Sequence, residues 1–297
     1  LTVPPSFWAA FFMHEYFKVA AHRWVRARHS TGIAMLRIAV LTIAALSLAG
    51  CAGSSPKLPF PAYVQVDELE DIFMASLPGV RGKQLAGDPQ TRRTSNRIDL
   101  PAAWKGTSGG VPGRALEIFV LQGKLRIADI DLPPGGYAFL PAGSLGFNLE
   151  TDRGARILYF VDDADTESVI RSPIIIDTSL LEWQPDATPG LSTKELRSDP
   201  GSGARTWLLR IDAGTSLPWQ SSSALREGYL LLGNYRHSEC VLGRVHAGQY
   251  RQGGYFYRPA DTVNGGPASG SDSDVVWFLR ETTQGTTTVV PDCAPTS

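Results

Sequence analysis

The 297-residue chain carries 28 Lys and Arg against 29 Asp and Glu, a formal charge of −1, and 43% of its residues are hydrophobic. It has no run of basic side chains, which argues against nucleic acid as a partner, because phosphates are neutralised by clustered Lys and Arg. Nor does any apolar stretch approach the roughly 20 residues needed to span a bilayer as a helix.

The first 50 residues read as targeting sequence. Residues 1 to 34 hold aromatic and basic side chains, including Phe7, Trp8, Tyr16, Arg23, Trp24 and Arg26, in front of a segment that is already a complete signal. They are expected to be an overlong gene start, the alternative being a basic amphipathic helix lying on a membrane. From Met35, Arg37 supplies a charged n-region and Ile38 to Leu48 an apolar h-region. Leu48, Ala49, Gly50 and Cys51 then close a lipobox-like run, so residues 35 to 50 are expected to be removed and Cys51 to carry the lipid. Ala52 lacks the acidic character of an inner-membrane retention signal. The expected location is therefore the periplasmic face of the outer membrane, with the bilayer a partner through acylated Cys51.

Removing residues 1 to 50 takes five basic side chains and one acid. Lys plus Arg falls to 23 and Asp plus Glu to 28, a formal charge of −5 for the 247 residues that remain. Residues 51 to 59 read as a linker.

An internal repeat divides the rest. Pro78, Gly79, Lys83, Leu85, Asp88 and Pro89 recur as Pro189, Gly190, Lys194, Leu196, Asp199 and Pro200; Glu117 and Gly123 recur as Glu227 and Gly233. Gly135, Gly136, Tyr137, Pro141 and Ala142 recur as Gly253, Gly254, Tyr255, Pro259 and Ala260. Two similar domains are expected, over 60–165 and 166–290, with a tail over 291–297.

In chain order, Val66 to Ala75 carries helical spacing but is equally readable as a strand with a turn. Leu116–Leu121, Leu125–Ile130, Tyr137–Leu140 and Arg156–Phe160 are short apolar or alternating runs between Gly and Pro turns. Thr206–Ile211, Tyr229–Leu232, Tyr255–Arg258 and Val275–Leu279 repeat the pattern in the second copy. Short strands about ten residues apart predict an all-β chain of antiparallel sandwiches or barrels. Cys240 and Cys293 are a possible disulfide in an oxidising compartment; two free thiols are the alternative.

The run Glu227 to Gly233, followed by Gly253, Gly254, Tyr255, Phe256, Tyr257, Arg258, Pro259 and Ala260, resembles the cupins. The closer resemblance is to two-repeat bacterial cupins related to ChrR-type and acetylacetone-cleaving-enzyme-like members. It implies two tandem cupin barrels of the double-stranded β-helix or jelly-roll type. It also implies a metal site of His-x-His, a glutamate and a third histidine. Aligned on that motif, Gln220 and Ser222 stand at the His-x-His positions, Glu227 at the acid and Asn264 at the third histidine. In the first repeat Gly110, Pro112 and Gly146 surround Glu117.

Beyond residue 50 the chain has two histidines, His237 and His246, so a three-histidine site is impossible. Both fall in the hairpin that lengthens the second repeat and are expected at the surface. No metal and no other cofactor is expected. Gln220, Ser222, Glu227, Tyr229, Tyr257 and Asn264 are the candidate ligand-binding set, with Trp207, Trp219 and Trp277 as further wall. No Ser-His-Asp arrangement, nucleophile elbow, phosphate loop or dinucleotide fingerprint is legible. The expected function is a noncatalytic, lipid-anchored protein that binds a small molecule or an envelope protein. A metal-dependent cupin enzyme of dioxygenase or isomerase type, or a sensor domain, is the alternative.

Overall fold

The computed structural model describes residues 58–108 and 113–294. Cys51 and its signal, Gly110 and Pro112 lie outside the described residues. The described part is built almost wholly of β-strands, with two three-residue 3-10 turns, Val66–Glu68 and Thr178–Leu180. The helical reading of Val66 to Ala75 gives way to the first of these turns and a two-residue strand, Ile72–Phe73. One turn of helix leaves most of its backbone groups unpaired, whereas the sheet edge pairs them.

Two seven-stranded antiparallel sheets carry the fold. In spatial order the first runs Ile174–Asp177, Gly136–Leu140, Arg114–Gly123, Ala155–Asp163, Arg93–Leu100, Arg81–Asp88, Ile72–Phe73. The second runs Val64–Gln65, Gly254–Arg258, Arg226–Leu232, Val275–Glu281, Arg205–Ile211, Leu191–Ser198, Gln184–Pro185. The two orders match strand for strand. Glu117 sits opposite Phe139 and Phe160, as Glu227 sits opposite Tyr257 and Arg280, so the repeat in sequence is a repeat in register. Even the bulges recur, at Gln84/Ala86 and Glu195/Arg197.

The edges are exchanged. Val64–Gln65, which precedes the first repeat, pairs with Tyr255 and Gly254 of the second; Ile174–Asp177, from the segment joining the repeats, pairs with the first. A sequential boundary at residue 165/166 therefore misses two strands that cross over. Each covers an edge that would otherwise present unpaired N–H and C=O groups.

A smaller sheet closes each barrel. In the first barrel it is Trp104–Ser108, Phe147–Thr151, Leu125–Ile127 and Ile130–Leu132; the predicted strand 125–130 breaks at Ala128, which turns with φ +51°. In the second it is built from the pairs Gln220–Ser222 with Thr287–Val289 and Tyr235–Val241 with Arg244–Tyr250.

Strand alternation divides the side chains into three cores. Leu116, Ile118, Val120, Leu125, Ile127, Leu149 and Ile157 fill the first barrel. Trp207, Leu230, Tyr235, Tyr250, Phe256 and Trp277 fill the second. Between them the outer faces of the large sheets meet through Phe119, Tyr137, Phe160, Leu208, Tyr229, Tyr255 and Phe278.

Cys240 and Cys293 are joined, with Cα atoms 5.6 Å apart. The bridge ties the tail to the barrel behind the Thr287–Val289 strand. Reduction is expected to cost about 2 to 4 kcal/mol by restoring the freedom of the closed loop of the unfolded chain. Melting with and without dithiothreitol, set against a Cys240→Ala, Cys293→Ala double variant, measures it; an unchanged melting temperature refutes the bridge's role.

Candidate functional site

The candidate set separates when the strands are placed. On the strand Arg226–Leu232, Leu230 points into the second barrel, whereas Tyr229 and Leu231 belong to the packing between the sheets. Glu227, two residues from Tyr229, shares its outer face. Glu227, Tyr229 and Tyr257 therefore lie on the side of the sheet away from Gln220, Ser222 and Asn264. The inward residue at the motif's acid position is Arg226. A slip of one residue changes the face because the strand period is two.

Glu227 and its repeat partner Glu117 converge instead on one guanidinium between the domains. The Tyr255 hydroxyl donates to Glu227 Oε2 at 2.6 Å, and the Tyr137 hydroxyl donates to Glu117 Oε1 at 2.6 Å. Arg280, 1% exposed, donates from Nη1 to Glu227 Oε1 at 2.9 Å and from Nη2 to Asp162, and its Nε lies 3.2 Å from Glu117 Oε2. Its guanidinium also stacks over Phe160, 4.3 Å from the ring centre. Burial pushes Glu227 above the usual carboxylate range, opposed by Arg280. Burial would raise Asp162 too, yet Arg280 and Arg93 beside it hold it below that range. This is a clamp between domains, its opposite charges set against one another, although Glu117 Oε2 and Arg280 Nε make no hydrogen bond within it.

The remaining candidates are engaged in holding the second barrel closed. Gln220 and Asn264 exchange backbone hydrogen bonds, and Asn264 Nδ2 donates to the carbonyls of Gln220 at 3.2 Å and Thr262 at 3.1 Å. Ser222 Oγ donates to Glu281 Oε1 at 3.1 Å, which also accepts from Arg226 Nε at 2.8 Å. Trp207 and Trp277 do form the barrel wall.

The polar centre of the second barrel lies elsewhere, on the long hairpin. His237 is buried there with Glu239, against the expectation of two surface histidines; His246 is half-buried. The hairpin does not project into solvent but folds back as a wall of the barrel, so His237 on it is enclosed. Arg258 donates to both oxygens of Glu239, at 2.9 and 2.6 Å, and its Nη2 lies 3.2 Å from His237 Nε2. Burial lowers His237 to about 4, with Glu239 opposing and Arg258 assisting, so the ring is neutral near pH 7. With Nε2 accepting from Arg258 the proton resides on Nδ1, which has no hydrogen-bond partner.

Tyr63, from the segment before the first repeat, plugs this end. Its hydroxyl donates to the carbonyls of His246 at 2.8 Å and His237 at 3.0 Å, and its ring lies 4.8 Å from that of Tyr250. Gly248 permits this: a Cβ there would stand 2.5 Å from the Tyr63 ring.

A metal does not fit this centre. His237 and Glu239 are the nearest to a ligand pair, but the Arg258 guanidinium already supplies the positive charge and occupies both carboxylate oxygens. Among the described residues no three His, Cys, Asp or Glu side chains group closely enough to hold a metal ion. The recess beside it, lined by Ser222, Arg226, Arg258, Thr262 and Asn264, leaves no room for a water molecule. The first barrel's core is mostly apolar; a 2.7 Å hydrogen bond joins the Ser108 and Tyr159 hydroxyls, and buried Asn96 donates to the Tyr159 carbonyl at 3.4 Å.

A larger opening lies between the domains. A groove of about 520 Å³ runs over the seam of the two large sheets, with Phe119, Leu121 and Gly135 contributed by the first and Tyr229, Leu231 and Gly253 by the second. Arg97 borders it, 3% exposed, with Nη1 2.5 Å from Asp67 Oδ1. Of the sequence candidates only Tyr229 lies here; the other lining residues come from both repeats and from the exchanged N-terminal segment, which no local pattern brings together.

Residues 171–284 match a family model described as a ChrR cupin-like domain, and residues 75–174 match a domain of unknown function, DUF4437. A crystal structure of a protein from Nostoc punctiforme, provisionally titled a dioxygenase, superposes with a TM-score of 0.62 at 20% identity, over 76% of this chain and 84% of that one. The E. coli protein Ylba gives 0.58 at 16% identity, over 73% and 89%. A variant of the Bacillus subtilis oxalate decarboxylase gives 0.57 at 10% identity, over 79% and 80%. At such identities the likeness is one of fold. No curated protein matches. With both halves matched, the strand orders repeated and these neighbours sharing the double barrel, the chain belongs to the cupin superfamily, as a tandem of two cupin barrels.

Proposed function

We propose that the protein is a noncatalytic binding protein of the bacterial envelope, anchored through acylated Cys51 at the periplasmic face of the outer membrane. Its ligand or partner is a small molecule or an envelope protein. One observation carries the reading: Arg258 holds Glu239 by both oxygens at the centre of the second barrel, where a cupin enzyme would need an open cation site. A buried guanidinium fixed by a carboxylate is a structural pair with no open coordination position. The exchanged N-terminal strand adds a mechanical argument. Residues leading from the anchor reach the body at Pro61 and Tyr63 on the second barrel, so the tether joins a rigid element.

The reading is tested on the chain expressed in a bacterial host. Wild type should partition into detergent with the mass of an acylated chain beginning at Cys51, and Cys51→Ser should accumulate as unprocessed precursor. Metal analysis of the purified protein should find iron, zinc and manganese far below one per chain. A soluble wild type with residues 1–34 attached would overturn the anchor. Stoichiometric transition metal with turnover lost on Glu239→Gln would restore the enzyme suggested by the names of the structural neighbours.

A further inference from the structure

The groove between the domains is built from a repeat, and its two walls have diverged in chemistry. The strand registers make Arg97 and Leu208 equivalent: Arg97 pairs with Leu158, which pairs with Phe119, as Leu208 pairs with Phe278, which pairs with Tyr229. Both line the groove. The twin position shows that packing here is met by a leucine, so a guanidinium 3% exposed is not a requirement of the fold. Burying such a group is costly unless its donors are used. Arg97 uses Nη1 on Asp67 and lies beside the Tyr229 hydroxyl, but its Nε is buried without a hydrogen-bond partner.

Asp67 is the loose member of this pair. It sits on the three-residue turn Val66–Glu68 with 65% of its side chain exposed, at the mouth of the groove. A second guanidinium, Arg156, also lines the groove, bonded to Asp99 at 2.6 Å from outside the lining set. The lining thus carries two cations and one anion on its polar side. Its other side is Phe119, Leu121, Leu208 and Leu231. A volume of about 520 Å³ falls in the range of small-molecule sites.

We propose that this groove binds a small organic carboxylate with an apolar body. The ligand's carboxylate takes the place of Asp67 on Arg97, assisted by Tyr229 and Arg156, while its aromatic or aliphatic body lies on the Phe119, Leu208 and Leu231 wall. Asp67 acts as an internal competitor: it neutralises Arg97 in the free protein and swings to solvent when the ligand enters. The proposal rests on the reading of the chain as a binding protein and gives that reading its site and ligand class. The site is not in either barrel.

The test uses the full chain in lipid nanodiscs, with empty discs as the blank and 4-phenylbutyrate as the probe. 4-Phenylbutanol and 4-phenylbutylamine serve as neutral and cationic isosteres. The carboxylate should saturate one site per chain, and the alcohol and amine should bind at least tenfold more weakly. Arg97→Leu, which copies the twin position, should weaken the carboxylate at least tenfold. Asp67→Asn should tighten it about threefold to tenfold; this exposed substitution keeps the test decisive should Arg97→Leu fail to fold. Equal affinity for the three probes, weaker binding by Asp67→Asn, or no saturable binding by wild type would overturn the proposal. Absence of binding in a metal-free protein would refute this ligand class alone, whereas stoichiometric metal would refute the reading beneath it.

Discussion

Replacing Arg280 by methionine is expected to lower the unfolding free energy by about 3 to 5 kcal/mol. Arg280 is the one cation touching Glu117, Glu227 and Asp162 together, which come from different strands and both domains. Methionine preserves much of the packing against Phe160 but removes the one guanidinium shared by the three carboxylates, leaving Glu227 without a cation while Asp162 keeps Arg93 at 3.2 Å. The loss should depend on pH in a defined direction. In the variant Glu227, which burial already raises, loses the guanidinium that opposes the shift, so through this group the folded state binds protons more readily than the unfolded one. That contribution is fully present below the unfolded carboxyl value and is lost as pH rises through the raised folded one. The variant should therefore recover part of its deficit between pH 7 and pH 5, while wild type, in which Asp162 is held low, does not gain through that group. Urea unfolding at both pH values measures this. A deficit below about 1 kcal/mol at pH 7, or one that grows on acidification, would sink the clamp.

The clamp explains what was legible in the sequence and what was not. The repeat offsets located Glu117 and Glu227 as equivalents, and the strand pairings place them in the same register of matched sheets. Turn residues did the same for the hairpins, since Gly253 with φ +84° marks the same bend as Gly135 with φ +88°. The direction of Glu227 was not legible. A motif aligned with one residue more between Ser222 and the acid puts Glu227 in the barrel, and with one fewer puts Arg226 there. Both residues are buried or nearly so, and composition does not distinguish a sheet buried on both faces from one buried on one. The exchanged edges were invisible for a different reason. Val64–Gln65 is two residues long, and its pairing with Tyr255 spans nearly the whole described chain.

His237 shows the same limit from the other side. Hairpin length suggests exposure, yet along Tyr235–Val241 the consecutive residues His237, Ser238, Glu239 and Cys240 are all buried, and only Arg236 is fully open. Ser238 and Cys240 are buried by the Val263–Gly265 segment and by the disulfide, which cover the face that alternation would otherwise leave to solvent. A strand covered on both sides reads like a loop when its residues are His, Ser and Glu rather than Val and Ile. Polar residues become tolerable there once Arg258 and Asn264 arrive from later in the chain, and no local pattern announces that.

Arg258→Ala should be the counterpart of Arg280→Met in the second barrel, costing about 3 to 5 kcal/mol because Glu239, with no exposed side-chain surface, loses the guanidinium that holds both its oxygens. Glu239→Ala should cost a similar amount by stranding Arg258. The double replacement Glu239→Leu with Arg258→Met is expected to fall within about 1 to 2 kcal/mol of wild type, since exchanging a buried ion pair for apolar groups of similar volume removes both desolvation costs together. The neighbouring ring reports the same change independently. His237 is held low chiefly by burial, with Glu239 opposing and Arg258 assisting, so Arg258→Ala should raise its titration midpoint from about 4 while the apolar double variant should not. Histidine NMR titration of these variants, and urea unfolding of the double variant with its own components Glu239→Leu and Arg258→Met, give the full cycle. Additive losses across the double variant would mean that Arg258 and Glu239 are not a coupled pair. The second barrel would then have a charge free to meet a ligand, and its filled interior would cease to be the reason for placing binding in the groove between the domains.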